Sequence, residues 1–296
     1  MVVFRSFGRR VGAVLLAVSA LLSPALVQAA PPPTIALFTD YGWDDPYGAQ
    51  MEGAIVSINP NVRLLDLSHT VGISSIEEAS FLLDQATVEF PAGTIFIAAV
   101  DFQSGGAHAP ILVQTNKGKT YLGPDNGLLS GVIAREGLAR AWKLDQPQYF
   151  RPGTVSNSFP GRDIFGPVAA HLAAGVDPNK MGSPLKSMVM LPLKEPNISG
   201  GIISAEVVHI DHFGNLILNL AHDSEPAAKF QQGNLVRISV GRENYSAPLV
   251  RGSSEVQKGR LALFFGASGL LEIAMNQGSA AHDLKADVST VILFKP

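Results

Sequence analysis

The sequence predicts an α/β fold: an N-terminal domain with a mostly parallel sheet over residues 34–190, then a smaller antiparallel β-barrel domain over 200–296. Three observations carry this. To about residue 185, short apolar runs alternate with segments of helical spacing, the order that builds a parallel sheet. Pro184 to Gly201 carries proline and glycine and no long periodic run, which places the boundary there. Beyond it, short strand-like runs succeed one another between turns, as in a small barrel.

Residues 1–30 stand apart. Arg5, Arg9 and Arg10 make a basic start, Val11 to Leu22 is apolar, Ser23-Pro24 breaks it, and Val27-Gln-Ala29 offers small residues for cleavage. This is the three-part pattern of a secretory signal peptide, and the apolar run falls short of the roughly 20 residues that span a bilayer. A periplasmic or secreted protein, free of the membrane after cleavage, is expected. Arg9-Arg10 leaves twin-arginine as well as Sec export open. Removing the three arginines moves the formal charge from −3 to −6.

After Pro31-Pro-Pro33, Thr34 to Phe38 reads as a buried strand running into Thr39-Asp40-Tyr-Gly42. Met51, Ala54, Ile55 and Ile58 give Tyr47–Ile58 helical spacing, and Asn59-Pro60 stops it. Val62 to Leu67 is a second strand, ending near His69. Ser75 with Glu78 forms a capping-box start for a helix through about Val88. Phe90-Pro-Ala-Gly93 turns the chain into Ile97-Ala-Ala-Val-Asp101, and 110–115 and 119–122 can pair around Asn116-Lys-Gly118. Ile164 to Ala174 reads as a helix ended by Gly175. The barrel strands are expected at 202–210, 216–220, 235–240, 245–250, 261–265 and 286–294.

Composition excludes several functions. The 296 residues are 46% hydrophobic, enough for a large core, and carry no basic run, so nucleic acid is not an expected partner. With no cysteine there is no disulfide, thiol nucleophile or thiolate metal site. No His-x-x-x-His, His-Glu-x-x-His or Asp-rich calcium loop occurs, and His209 and His212 flank Asp211 at an undiagnostic spacing, so no metal is expected. Gly-x-Ser-x-Gly and a dinucleotide glycine fingerprint are also absent.

What remains is a set of acids at strand ends. Asp40, Asp101 and Asp211 each end an apolar run close to a glycine, where open α/β sheets place ligand crevices. An aspartate so placed also serves as a plain turn-former. Three of them, with Asn126 and Asn215, suit a hydroxyl-rich ligand such as ribose, because a carboxylate accepts two hydrogen bonds at once. His108 stands seven residues after Asp101, within reach of an Asp–His general-base pair. His69 and His171 read as packed, hydrogen-bonded histidines. The residues alone define a polar, adenosine-compatible pocket between domains and no reaction.

The motifs together go further. Phe38-Thr-Asp-Tyr-Gly42, Leu65-Asp-Leu-Ser-His69, Phe90-Pro-Ala-Gly-Thr94, Pro124-Asp-Asn-Gly-Leu-Leu129, Gly161-Arg-Asp-Ile-Phe165, Ile210-Asp-His-Phe-Gly-Asn-Leu216 and Leu271-Glu-Ile-Ala-Met-Asn276 occur in this order. In that order, over residues 34–296, the chain resembles the S-adenosylmethionine (SAM) hydroxide adenosyltransferases, relatives of the nucleophilic fluorinase and chlorinase. The resemblance implies a homotrimer with pockets between subunits, no metal or separate cofactor, and attack of water, hydroxide or halide on the ribose C5′ of SAM. It implies that Asp40 holds the ribose hydroxyls, Asp211 meets the methionine ammonium, Asn215 reads the adenine edge and Asp101 handles water. Asn126 and Arg162, in their motifs, are carried over as substrate contacts, as is Ser268 in Gly266-Ala-Ser-Gly269, the turn that receives the methionine carboxylate.

That turn departs from the family's Asn-Ser-x-Gly, and three further positions depart from the family pattern. His108 stands where an arginine is expected, Pro160 where a histidine is expected, and no aromatic stands near Ser253 to stack on adenine. The expected function is hydrolysis of SAM, or a near analogue, to adenosine and methionine, with Asp101 and His108 as the catalytic pair. The alternative is a secreted homologue that binds an adenosyl ligand without turnover.

Overall fold

The computed structural model describes residues 31–71, 75–101, 108–192 and 194–296, and the expected signal peptide lies outside them. Among the described residues no helix is long and apolar enough to cross a membrane. The first part of the chain runs β1 (Thr34–Thr39), α1 (Tyr47–Ile58), β2 (Arg63–Ser68), α2 (Ile76–Thr87), β3 (Ile95–Ala99), β4 (Pro110–Thr115) and β5 (Thr120–Pro124). It continues through α3 (Ser130–Glu136), β6 (Leu138–Leu144), α4 (Gly166–Ala173) and β7 (Gly182–Pro184). The seven strands form one sheet in the order β2-β1-β3-β5-β4-β6-β7. Strands β1, β2, β3 and β5 run parallel, β4 lies antiparallel between β5 and β6, and β7 closes the edge antiparallel to β6.

Burial on both faces explains why β1 and β3 read as unbroken apolar runs. Side chains alternate across a strand. Ile35 and Leu37 of β1, with Ile95 and Ile97 of β3, pack on Met51 and Ile55 of α1 and Val168 and Ala169 of α4. Ala36 and Phe38, with Phe96 and Ala98, pack on the other face against Ala79 and Leu83 of α2 and Val132 of α3. The result is a three-layer α/β sandwich. The helix expected at Tyr47–Ile58 has those bounds, and Ser75 caps α2 by accepting the Glu78 N–H at 3.1 Å. The capping box is half formed, because the Glu78 carboxylate turns away to accept from His209 Nδ1 at 2.8 Å.

The second part contains β8 (Asn197–Ser199), β9 (Ile202–Ile210), β10 (Leu216–Ala221), β11 (Leu235–Val240), β12 (Glu243–Pro248), β13 (Leu261–Phe265) and β14 (Leu270–Met275). A short helix α5 (Ala280–Leu284) and β15 (Val291–Lys295) complete it. The order β12-β11-β15-β9-β10-β14-β13 is antiparallel throughout, and β8 pairs with β9. A bridge between Leu249 and Leu263 brings the two ends of the sheet together, giving a nearly closed barrel around Ile203, Val207, Leu218, Ile238, Ile273 and Phe294.

Several elements differ from expectation. Strand β6 escapes a search for apolar runs because Arg140 and Lys143 interrupt it while Ala141, Trp142 and Leu144 are buried. The strand expected from Ala286 begins at Val291. Thr290 N–H returns to Asp287 O at 3.0 Å and Ser289 sits at φ 69°, which makes the preceding residues a turn. The helix expected from Ile164 opens as a π-turn at Gly161–Phe165.

One buried ion network holds the α2–α3 side of the sandwich. Glu136, 4% exposed, accepts from Lys119 Nζ at 2.9 Å, Thr115 Oγ1 at 2.8 Å and Arg135 Nη1 at 2.8 Å. Lys119 is itself 4% exposed. Removing one partner of such a pair strands a buried charge, at a cost of about 3–5 kcal/mol. Glu136→Ala is expected to lower unfolding free energy by that amount in urea titration; a loss below about 1 kcal/mol would show the network to be dispensable.

Candidate active site

The site originates in one feature of the topology. From β1 the chain crosses to β2 on one side, and β3 then leads to β4 and β5 on the other. The β1/β3 junction is therefore the point where connections diverge, and a crevice opens at the carboxyl ends of such strands. The register pairs Thr39 with Ala99, so the residues after each strand end are delivered side by side. Asp40 follows β1 directly, and Asp101 follows β3 after the buried Val100. The Asp101 backbone N–H donates to Asp40 Oδ2 at 3.3 Å. Burial raises the Asp40 pKa above its ordinary 3.8, helped by the nearby Asp101 charge and opposed by that backbone hydrogen bond.

His108 meets Asp101 as expected: Nδ1 lies 3.0 Å from Oδ2, with both side chains about a quarter exposed. An ionised carboxylate can only accept, so Nδ1 carries the hydrogen and the Nε2 lone pair is left to act as a base. Both residues line a cleft of about 790 Å³, with Asp40, Asp45, Tyr41 and Phe159 among its other walls. That volume suits a small-molecule ligand. Three aspartates on the lining favour a ligand with positive charge.

The opposite wall is built around Asp163, which is fully buried. Arg162 clamps it with two bonds, Nε to Oδ1 at 2.6 Å and Nη2 to Oδ2 at 3.1 Å, while Arg151 Nε at 2.6 Å and the Ser156 N–H at 2.8 Å complete its shell. Burial alone would raise this carboxyl, but the hydrogen bonds from Arg162, Ser156 and Arg151 prevail and hold it at about 2. Arg162 also donates to Gln50 Oε1 at 3.1 Å and lies 4.7 Å over the Phe159 ring. Phe159 meets Tyr41 and Tyr47 edge-on at 5.3 and 5.4 Å. Gly161 permits this, because a methyl group there would collide with the Tyr41 hydroxyl.

The sequence-derived residues thus fall into three groups. Asp40, Asp101, His108 and Arg162 line one cleft, although the Arg162 guanidinium is engaged by Asp163, Gln50 and Phe159. Asn126 sits behind it. Its amide donates to Val100 O at 3.1 Å and accepts from Leu128 N–H at 3.1 Å, so it props the strand end that carries Asp101. Asp211, Asn215 and Ser268 belong to barrel turns and do not line this cleft, which is walled by residues 40–165. Asp211 Oδ1 accepts the N–H groups of Phe213 and Asn215, and Oδ2 accepts the Asn215 amide at 2.8 Å. Ser268 Oγ accepts Leu270 N–H at 3.4 Å, and Glu272, buried beside Asp211, has a raised pKa from burial and from that charge. Spacing did not disclose the aromatic wall or the role of Asp163, because only the fold settles which way those side chains point.

His69 is packed and hydrogen-bonded as expected, whereas His171, expected in the core, is only partly buried. His69 is 3% exposed, with Thr39 Oγ1 at 2.7 Å from Nδ1. His171 meets the Tyr149 ring edge-on at 5.3 Å, and burial lowers its pKa.

An α/β sandwich with a polar crevice at its switch point, joined to an antiparallel barrel, defines a two-part α/β protein with a small-molecule site at its strand ends. The family models for the SAM hydroxide adenosyltransferase N-terminal and C-terminal domains match residues 35–182 and 205–292. The chain belongs to the SAM hydroxide adenosyltransferase family. It is 31% identical to an (R)-S-adenosyl-L-methionine hydrolase of Thermus thermophilus over 258 residues, 84% of this chain and 94% of that protein. A fluorinase of an Actinoplanes species is 27% identical, covering 88% and 97%. The crystal structure of an uncharacterized conserved protein from Thermotoga maritima superposes with a TM-score of 0.83 at 30% identity, over 88% of this chain and all of that one.

The Asp163 shell has a signed pH dependence. With the folded value at about 2 against an ordinary 3.8, its stabilisation of about 2 kcal/mol is full above the ordinary value and fades as pH falls toward 2. Asp163→Asn is expected to lower Tm at pH 7, with the gap from wild type narrowing between about pH 4 and pH 2. A gap that stays constant across that range would show that charge is not what Asp163 contributes.

Proposed function

We propose that this chain hydrolyses SAM, or a near analogue, to adenosine and methionine. The observation that supports this best is the Asp101–His108 pair, 3.0 Å apart, on the cleft that also holds Asp40. A water oxygen attacks the ribose C5′, the C5′–S bond breaks, and its electron pair neutralises the sulfonium as methionine departs. The water proton passes to His108 Nε2, whose charge Asp101 stabilises. Asp40, kept close to Asp101 by its backbone bond, accepts from the ribose hydroxyls. Acidic walls favour the sulfonium cation on binding, and closure around the ligand would dry and align the nucleophile. His108 in this reading does the work that the family divides between an arginine and a histidine, which explains how Pro160 is tolerated.

The cleft is completed, in this proposal, by a neighbouring copy in a homotrimer that presents its Asp211, Asn215 and Ser268 turns. Support comes from the placement of those turns away from their own chain's cleft and from Phe213, 73% exposed between Asp211 and Asn215. No separate cofactor enters the reaction. The basic-apolar start supports export, which puts the enzyme in the periplasm or outside the cell. Pro160 favours a second reading, in which the ligand is bound and not turned over.

Incubation with SAM, with and without chloride, then chromatography, separates these readings. Adenosine and methionine are expected in equal amounts, without 5′-chloroadenosine. Asp101→Ala and His108→Ala are each expected to cut turnover by about 10²–10⁴-fold while calorimetric binding persists. Binding without product in the wild type would establish the second reading. Undiminished turnover in Asp101→Ala would remove the proposed base pair.

A further inference from the structure

A second cluster of polar side chains lies outside the cleft, on the far side of the β1 end. Glu52 projects from α1, Asp66 from β2, and His69 comes just after β2; one ligand atom of each falls within 4.8 Å of the others. His69 Nε2 lies 3.1 Å from Asp66 Oδ1. As it stands this is a hydrogen bond; two donors at about 2.1 Å from a tetrahedral cation lie about 3.4 Å apart, so a small opening of the pair admits the ion. The Glu52 side chain is partly exposed, so a small rotation brings its carboxylate into the same sphere.

The imidazole is already oriented. Its Nδ1 is 2.7 Å from Thr39 Oγ1, the Trp43 ring stands edge-on at 4.6 Å, and Gly48 packs so closely that a methyl group there would touch the ring at 3.6 Å. A histidine ligand characteristically donates its other ring N–H to a fixed acceptor, and Thr39 Oγ1 supplies one. Among the described residues neither Glu52 nor Asp66 pairs with a lysine or arginine; the two carboxyl groups meet each other directly, with His69 alongside. One imidazole and two carboxylates suit zinc or a similar first-row ion, whereas magnesium prefers oxygen donors and water.

We propose that Glu52, Asp66 and His69 bind one divalent first-row transition-metal cation of zinc-like preference, and that this cation braces the β1 end from behind. It takes no part in the reaction at the cleft. It ties α1 to β2 and, through Thr39 and the Gly42 N–H that donates to His69 O at 2.6 Å, steadies the loop that carries Asp40. Motif searches miss it because its ligands come from two elements and Asp66 and His69 are only three residues apart.

Calorimetry of the purified chain at pH 7 with Zn²⁺ and with Mg²⁺ tests this, with Trp43 fluorescence as a second readout. One Zn²⁺ per chain is expected, with no comparable Mg²⁺ binding. Glu52→Gln and Asp66→Asn, each checked for native circular dichroism, are expected to weaken Zn²⁺ at least roughly tenfold. His108→Ala, which leaves this cluster intact, should retain the site. Absence of Zn²⁺ binding by the folded wild type, unchanged affinity in either carboxamide variant, or Mg²⁺ binding as tight as Zn²⁺ would overturn the proposal.

Discussion

The pairing of β1 with β3 is the constraint on which the site depends. Two strands buried on both faces end in register, and the first residues beyond them that must leave the apolar layer are Asp40 and Asp101. Two carboxylates are thereby held at one sheet edge, joined through the Asp101 N–H. Holding Asp40 there is costly, chiefly through its burial and to a lesser degree through the Asp101 charge, as its raised pKa records. The packing of Phe38, Leu37, Phe96 and Ile97 offsets that cost, because it fixes the strand ends whichever residues come next. His108 then enters from the loop leading to β4 and turns one of the two acids into half of an Asp–His pair.

The opposite wall obeys a different principle. Residues 151–163 contain no strand, and a single buried charge organises them. Asp163 gathers two arginines and a backbone N–H, and the π-turn that carries it leaves room at Gly161 for the Tyr41 hydroxyl. The aromatic contacts of Tyr41, Tyr47 and Phe159 tie this wall back to β1 and α1. Pro160 fits at the head of the turn with φ −64°, a conformation proline already prefers. Proline at this position is therefore structurally benign.

How much of this was legible in the sequence depended on the kind of signal. Elements with a simple period were: α1 from Met51, Ile55 and Ile58, and β1 and β3 from unbroken apolar runs, because both faces are covered. Strand β6 was not, since Arg140 and Lys143 lie among its buried residues, nor was the Asp287–Thr290 turn, whose polar contacts are local. At the site, acids at strand ends and the seven-residue step from Asp101 to His108 pointed to residues that the fold brings together. Of the two residues carried over as substrate contacts, Arg162 lines the cleft and Asn126 lies behind it. What each side chain bonds, Asp163 in one case and the Val100 carbonyl in the other, depends on tertiary packing that no spacing encodes. The Asp211, Asn215 and Ser268 turns lie on the barrel, and a single chain does not bring them to the cleft.

The central claim is that a solvent-derived oxygen, activated at Asp101–His108, becomes the 5′-hydroxyl of adenosine. Single-turnover reaction with SAM in H₂¹⁸O, with mass spectrometry of the product, tests it most directly. Adenosine carrying one ¹⁸O on its 5′ carbon is the expected result. Adenosine formed without the label would place the attacking oxygen elsewhere and contradict the account.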